Sequence, residues 1–119
     1  MKPSDYNRLE HIKIYCDEIA ATVARFGADL DTFLADKDYQ ASVSMRLLNI
    51  GELAKGLSAG FREETGDLLP WKLITGLRDH VAHGYHQLEF AVVFNTAIQD
   101  IPHLAEVCQK LMESSGKVS

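Results

Sequence analysis

One spacing constrains this chain more than anything else in it. Leu9, Ile12, Cys16, Ile19, Val23 and Phe26 recur at alternating intervals of three and four residues, the period at which side chains return to one face of an α-helix. A strand cannot carry such a stripe, because its faces alternate at every second residue. The stripe predicts a long first helix, with Ser4 as N-cap, Asp5 in the favourable first turn and Gly27 as the stop. A shorter helical piece is expected from about Asp29 to Ala35.

The same period returns along the rest of the chain. Between Asp38 and about Ser58, residues Val43, Leu47, Ile50, Ala54 and Leu57 fall in one arc, while Ala41, Met45 and Leu48 fall nearly opposite. A helix that is apolar on two sides is either central in a bundle or shared with a second chain, and the pattern leaves both open. Ala59 to Leu69 contains Gly60, Thr65 and Gly66 and reads as a loop with at most a short helical turn. Pro70 suits the first position of a third helix, which carries Trp71, Ile74, Leu77 and Val81 and should end at or near Gly84. A last helix begins around Leu88, with the stripe Phe90, Phe94, Ala97, Ile101, Leu104, Val107 (or Cys108) and Leu111. Pro102 lies inside it and should kink or restart it, with Asp100 available to the freed N–H groups. The tail from Ser114 to Ser119 is small and polar and is expected to fray. No segment shows strict alternation or an Asn-Gly hairpin turn. The expected fold is a single all-α domain over residues 1–119, a bundle of four to five helices with a kinked last helix.

Composition narrows the function classes. A chain of 119 residues, 46% hydrophobic, buries enough surface for a core without metal or disulfide staples. Its net charge of −5 excludes a general nucleic-acid coater, which needs a broad basic surface to displace counterions. Any RNA contact must be local, made by a few cations in a cleft. Cys16 and Cys108 lie far apart with no CxxC or CxxH spacing, so they read as buried thiols rather than zinc ligands or a redox pair. No signal peptide and no membrane-length apolar run is present, which points to the cytoplasm.

Titratable groups concentrate in one place, Arg78-Asp79-His80-Val81-Ala82-His83-Gly84-Tyr85-His86. Histidine titrates closest to neutrality and can exchange protons at cellular pH. The planar guanidinium of arginine matches phosphate geometry. His80 and His83 share a helix face, whereas Arg78 and His83 lie about 140° apart on an ideal helix. They converge if the helix distorts or ends at Gly84, or if a second copy of the chain completes the site. His80, His83 and His86 also form a possible ligand set, but Gly84 should break the helix before His86 and no HExxH motif is present. We therefore expect neither metal nor cofactor. His86 reads as a solvated loop residue, and His11 and His103 as surface or satisfied core positions.

The segment Arg78-x4-His83-Gly84-Tyr85 resembles the Arg-x4-6-His motif of HEPN domains, in the Arg-x4-His-x-Tyr form of HepT-like toxins. The run Leu47 to Lys55, with Gly51-Glu52 at its centre, looks like that family's second helix. Leu57-Ser58, Pro70-Trp71, Ile74 and Gly76-Leu77 look like its approach to the motif, so the likeness spans about Leu9 to Leu111. The resemblance implies a HEPN-like bundle and a metal-independent endoribonuclease, a homodimer with its two motifs facing across a cleft. Arg78 would hold the scissile phosphate, and His83 would act as general acid or base on the 2′-hydroxyl or the leaving oxygen. Asp79 and His80 would support them, and Arg46 and Glu52 are possible accessories. The family position after the arginine is often asparagine, and Asp79 instead brings negative charge near the phosphate. The resemblance further implies a type VII-like toxin–antitoxin pair, in which a minimal nucleotidyltransferase antitoxin attaches adenylate to Tyr85. The alternative reading is a non-catalytic subunit of a nucleotidyltransferase complex, binding nucleotide or RNA without cutting it.

Overall fold

In a computed structural model of the chain, residues 1–82 and 87–116 are described, with the backbone alone at 80–82, 87, 88 and 116. The elements in chain order are α1 (Pro3–Phe26), α2 (Leu30–Ala35), α3 (Lys37–Lys55), α4 (Ala59–Glu64), α5 (Trp71–Thr75), α6 (Leu77–Ala82), α7 (Gln87–Asn95), a π-helical segment (Thr96–Asp100) and α8 (Ile101–Gly116). No strand occurs among the described residues. With α5–α6 counted as one broken rod and α7 to α8 as another, the chain is a bundle of four rods with two short helices, α2 and α4, at the turns. This agrees with the all-α expectation.

The three stripes meet in one core. Leu9, Ile12, Cys16 and Ile19 of α1 are buried, as are Val43, Leu47, Ile50 and Ala54 of α3 and Ala97, Ile101, Leu104 and Cys108 of the last rod. α1 packs against both α3 and α8, and α3 also receives α5 and α6. Thus α3 is central within the single chain. Its second apolar arc is only partly used, since Met45 remains 60% exposed. An aromatic cluster closes one end: Tyr39 stacks on Phe26 at 4.7 Å and meets Phe33 edge-on at 4.9 Å. The Tyr39 hydroxyl donates to the Gly27 carbonyl at 2.9 Å.

Gly27 ends α1 as expected, at φ 106°. A Cβ there would meet nothing within 4 Å, so its requirement is backbone conformation and not space. The start of α1 differs from expectation. Lys2 is the N-cap and Pro3 takes the first helical turn, because proline's fixed φ and missing N–H suit that position; Ser4 is inside the helix. Asp5 does more than favour the first turn. It is 2% exposed and accepts from the Ser58 N–H at 2.8 Å and the Ser58 hydroxyl at 2.6 Å. Ser58 is in turn the N-cap of α4, its hydroxyl oxygen accepting from the Phe61 N–H.

Several boundaries also move. α3 starts at Lys37, capped by Asp36, and stops at Lys55. Residues 59–64 form the six-residue helix α4 where a loop with at most a short helical turn was expected, because Ser58 caps it and Phe61 is buried beneath it. The third helix breaks at Gly76, a poor helix former, into α5 and α6, and Pro70 is the N-cap of α5 rather than its first residue. The expected end of that rod at Gly84 lies outside the described residues. Pro102 is accommodated by the preceding π turn, in which the Ile101 N–H reaches back five residues to the Thr96 carbonyl. The wider turn relieves the clash that proline imposes on a regular helix. Relief therefore comes from the backbone, with Asp100 left exposed. α8 runs through Ser114 and Ser115 to Gly116, with the Ser114 hydroxyl donating to Leu111. This corrects the expected fraying at 114–116, while 117–119 lie outside the description.

Both cysteines are free and buried. Burial pushes both thiols up, Cys108 to about 12, and the neighbouring Cys108 pushes Cys16 further. An unfolded chain ionises its thiols near the ordinary value of 9.0, while the folded chain resists. Stability is therefore full below pH 9 and is lost as pH rises above it, by up to ~2.7 kcal/mol per pH unit for two thiols. Chemical denaturation between pH 8 and 11 should show this fall, and Cys16→Ala together with Cys108→Ala should flatten it. Asp5→Ala should cost about 1–3 kcal/mol by stranding the Ser58 donors, read as a lowered midpoint of urea unfolding. An unchanged midpoint would mean that the Asp5–Ser58 link does not hold α1 to α4.

Candidate active site

The site is built where α6 crosses α3. Gly51, in the middle of α3, is buried. A Cβ built on it would stand 2.9 Å from the Arg78 backbone nitrogen and 3.3 Å from the Arg78 Cβ. The first turn of α6 can approach this closely because Gly51 carries no side chain. One residue further on, the Glu52 Oε1 lies 2.8 Å from the Arg78 Nε. Consecutive residues of α3 thus meet both ends of the same arginine, its backbone and its guanidinium.

The Arg78–Glu52 pair is 46% and 47% exposed at its two side chains. An ion pair so exposed contributes only about 0.2–1 kcal/mol to stability. Its significance is geometric, since it fixes the direction of a long side chain on the surface. Asp79 follows, exposed on α6, with its N–H donating to the Gly76 carbonyl at 3.0 Å. α6 also carries His80, whose backbone alone is described. His83, Gly84, Tyr85 and His86 lie outside the described residues, and with them the alternative metal-ligand set.

Arg46 is placed elsewhere. Its Nε lies 2.9 Å from the Glu18 Oε1, and its Nη1 donates to the Ser42 carbonyl and hydroxyl at 3.1 and 2.8 Å. It ties α3 to α1, whereas Glu52 faces α6, so only Glu52 of the two accessory candidates is brought to Arg78. Gly51 is the site residue that chemistry-first reading missed. Its signal was present, since a lone glycine inside a long helical pattern usually marks a close packing contact.

A groove of about 280 Å³ runs beside α5 and α6, lined by Leu73, Ile74, Leu77, Val92, Ile101 and Leu104 among others. Among the described residues its lining is mostly apolar, with Thr96, Asp100 and His103 as the polar members.

The family described as "Ribonuclease HepT-like" matches residues 9–111, from the first stripe through the whole cluster Arg78 to His86. The chain belongs to the HepT-like ribonuclease family. Similar proteins carry matching names. "Putative RNase TTE0752" of Caldanaerobacter subterraneus subsp. tengcongensis is 30% identical over 88% of this chain and 91% of its own length. "Probable ribonuclease HepT" of Thermococcus cleftensis is 30% identical over 83% of this chain and 94% of its own. No solved structure matches the chain. By family this HepT-like chain is an RNA-cutting enzyme, as its motif implies. The matched span takes in all of α3 and α6, the two helices whose contact sets Arg78.

Gly51→Ala tests that contact. The added methyl would press on backbone, which cannot swing away as a side chain can, so α6 must shift. We expect a loss of about 1–3 kcal/mol and a fall in RNA cleavage of tenfold or more, since misplacement of about 1 Å costs on that scale. Thermal unfolding and a cleavage assay read the two effects. Wild-type values in both would show that α6 is not seated on Gly51.

Proposed function

We propose that the chain is a metal-independent endoribonuclease acting in the cytoplasm as the toxin of a type VII-like toxin–antitoxin pair. Arg78 binds the scissile phosphate and offsets the charge that develops in the transition state. His83 moves a proton at the 2′-hydroxyl, the internal nucleophile of RNA, or at the leaving oxygen. The attack is intramolecular within the substrate, so metal activation of water is not needed. DNA lacks that hydroxyl and survives. The observation that carries this reading is Arg78 itself, an exposed cation held in a defined direction by Glu52 within a chain that matches a ribonuclease family across residues 9–111.

Two further parts belong to the same reading. A homodimer sets two motifs across one cleft, which supplies Arg78 and His83 jointly although one ideal helix would separate them by about 140°. A minimal nucleotidyltransferase partner switches the enzyme off by placing adenylate on Tyr85. That adds bulk and negative charge two residues from His83, where the RNA phosphate must sit.

The test uses protein purified without a co-expressed partner, incubated with labelled RNA in excess chelator beside His83→Ala. Wild type should cut and the variant should be slower by about 10²–10⁴-fold, the usual contribution of a proton-transfer group. Mass spectrometry of protein co-expressed with the partner should find adenylate on Tyr85. If unmodified wild type leaves RNA intact, a subunit that binds without cutting becomes the better reading. Cleavage abolished by chelator would restore the metal set His80, His83 and His86.

A further inference from the structure

The neighbourhood of Arg78 contains an apparent contradiction. A residue meant to bind phosphate has a carboxylate 2.8 Å from its Nε. That carboxylate repels an incoming phosphate and neutralises part of the charge that should attract it. The pair is too exposed to be explained by stability. A reason for its presence lies in what it does to direction. An exposed arginine samples many rotamers, and each must be given up when substrate is bound. Glu52 pairs with the Nε side of the guanidinium, which leaves the edge formed by the two terminal nitrogens as the fork for a planar, bidentate contact. Gly51, next in the chain, seats the Arg78 backbone against α3 with no room for a Cβ. The two ends of Arg78 are therefore fixed by adjacent residues of one rigid helix.

We propose that Glu52 is a positioning residue for RNA cleavage: it weakens substrate binding by its charge and raises turnover by holding the Arg78 guanidinium edge-on to the scissile phosphate. The inference rests on the ribonuclease reading and adds a residue with two opposed effects. Because the effects come from different properties of the side chain, substitutions separate them. Glu52→Ala removes both charge and reach. Glu52→Asp keeps the charge and loses the reach, being shorter by one methylene. Glu52→Gln keeps the reach and loses the charge.

The experiment measures kcat and KM of the full chain on a short single-stranded RNA for wild type and the three variants, with thermal unfolding as a control. Glu52→Ala should lower kcat by up to about fivefold, the most that an ion pair this exposed can pre-organise, and lower KM severalfold, a combined fall that simple damage to the fold does not give. Glu52→Asp should lower kcat to a similar degree with KM unchanged. Glu52→Gln should recover most of kcat while KM stays low. A wild-type kcat in Glu52→Ala would overturn the proposal, as would a kcat that follows charge instead of reach. A second readout needs no RNA. The order of the Arg78 guanidinium, read as the Nε relaxation order parameter, should be high in wild type and in Glu52→Gln, and low in Glu52→Ala and Glu52→Asp. Equal order in all four would overturn the positioning contact itself. High order in a wild-type chain that cuts no RNA would leave the contact standing and bring down the ribonuclease reading, and with it the role assigned to Glu52.

Discussion

The approach of α6 to α3 at Gly51 is the contact on which the arrangement of the site depends. A glycine in the middle of a helix costs about 1 kcal/mol relative to alanine, and α3 is otherwise composed of adequate helix formers. The cost is offset because two backbones come together where a side chain would hold them apart. This close seating determines where Arg78 leaves the helix. Glu52 then determines where its head group points. The same helix also serves the core, with Val43, Leu47 and Ile50 buried and α1 packed along it. One rigid rod thus connects the hydrophobic interior to the chemistry at the surface.

The segment that carries the motif could not stand alone. α5 has five residues and α6 has six, well under the length at which an isolated helix persists in water. Tertiary anchors supply the order. Trp71 and Ile74 are buried, and the Trp71 indole N–H donates to the Thr65 hydroxyl oxygen at 2.8 Å. That hydroxyl donates in turn to the Phe61 carbonyl at 2.8 Å, so the short α4 serves as the mount for α5. α4 is itself fixed to α1 through Ser58 and Asp5. The polar contacts form a relay from the first turn of the chain to α5, the short helix that precedes α6.

The sequence disclosed most where burial imposes a period. The stripes on α1, α3 and the last rod were legible because each residue in them answers to the same core. The cluster around Arg78 was legible because titratable groups are rare elsewhere at that density. Ser4 misled because its cap propensity competed with a proline one residue earlier, and local rules do not say which wins. α4 was read as loop because two glycines outweighed a cap whose real support, Asp5, lies 53 residues away. The partner of Arg46 was invisible for a similar reason, since Glu18 is 28 residues distant and on another helix. Pro102 announced a disturbance, but whether the backbone would kink or widen into a π turn depended on neighbours that no local pattern encodes. The role of Gly51 was not legible because the backbone it admits belongs to Arg78, 27 residues further along the chain.

Trp71 has a practical implication of its own. It is the only tryptophan in the chain, it is 5% exposed, and its ring lies 6.2 Å from that of Phe61. Its fluorescence therefore reports one place, the joint between α4 and the segment leading to Arg78. Emission from this indole should be blue-shifted and shielded from aqueous quenchers while the joint is closed. Because the four tyrosines can be left unexcited at long wavelength, the protein carries a single-site optical probe of its own motif segment. Docking of α5 can be followed in time without attaching a label.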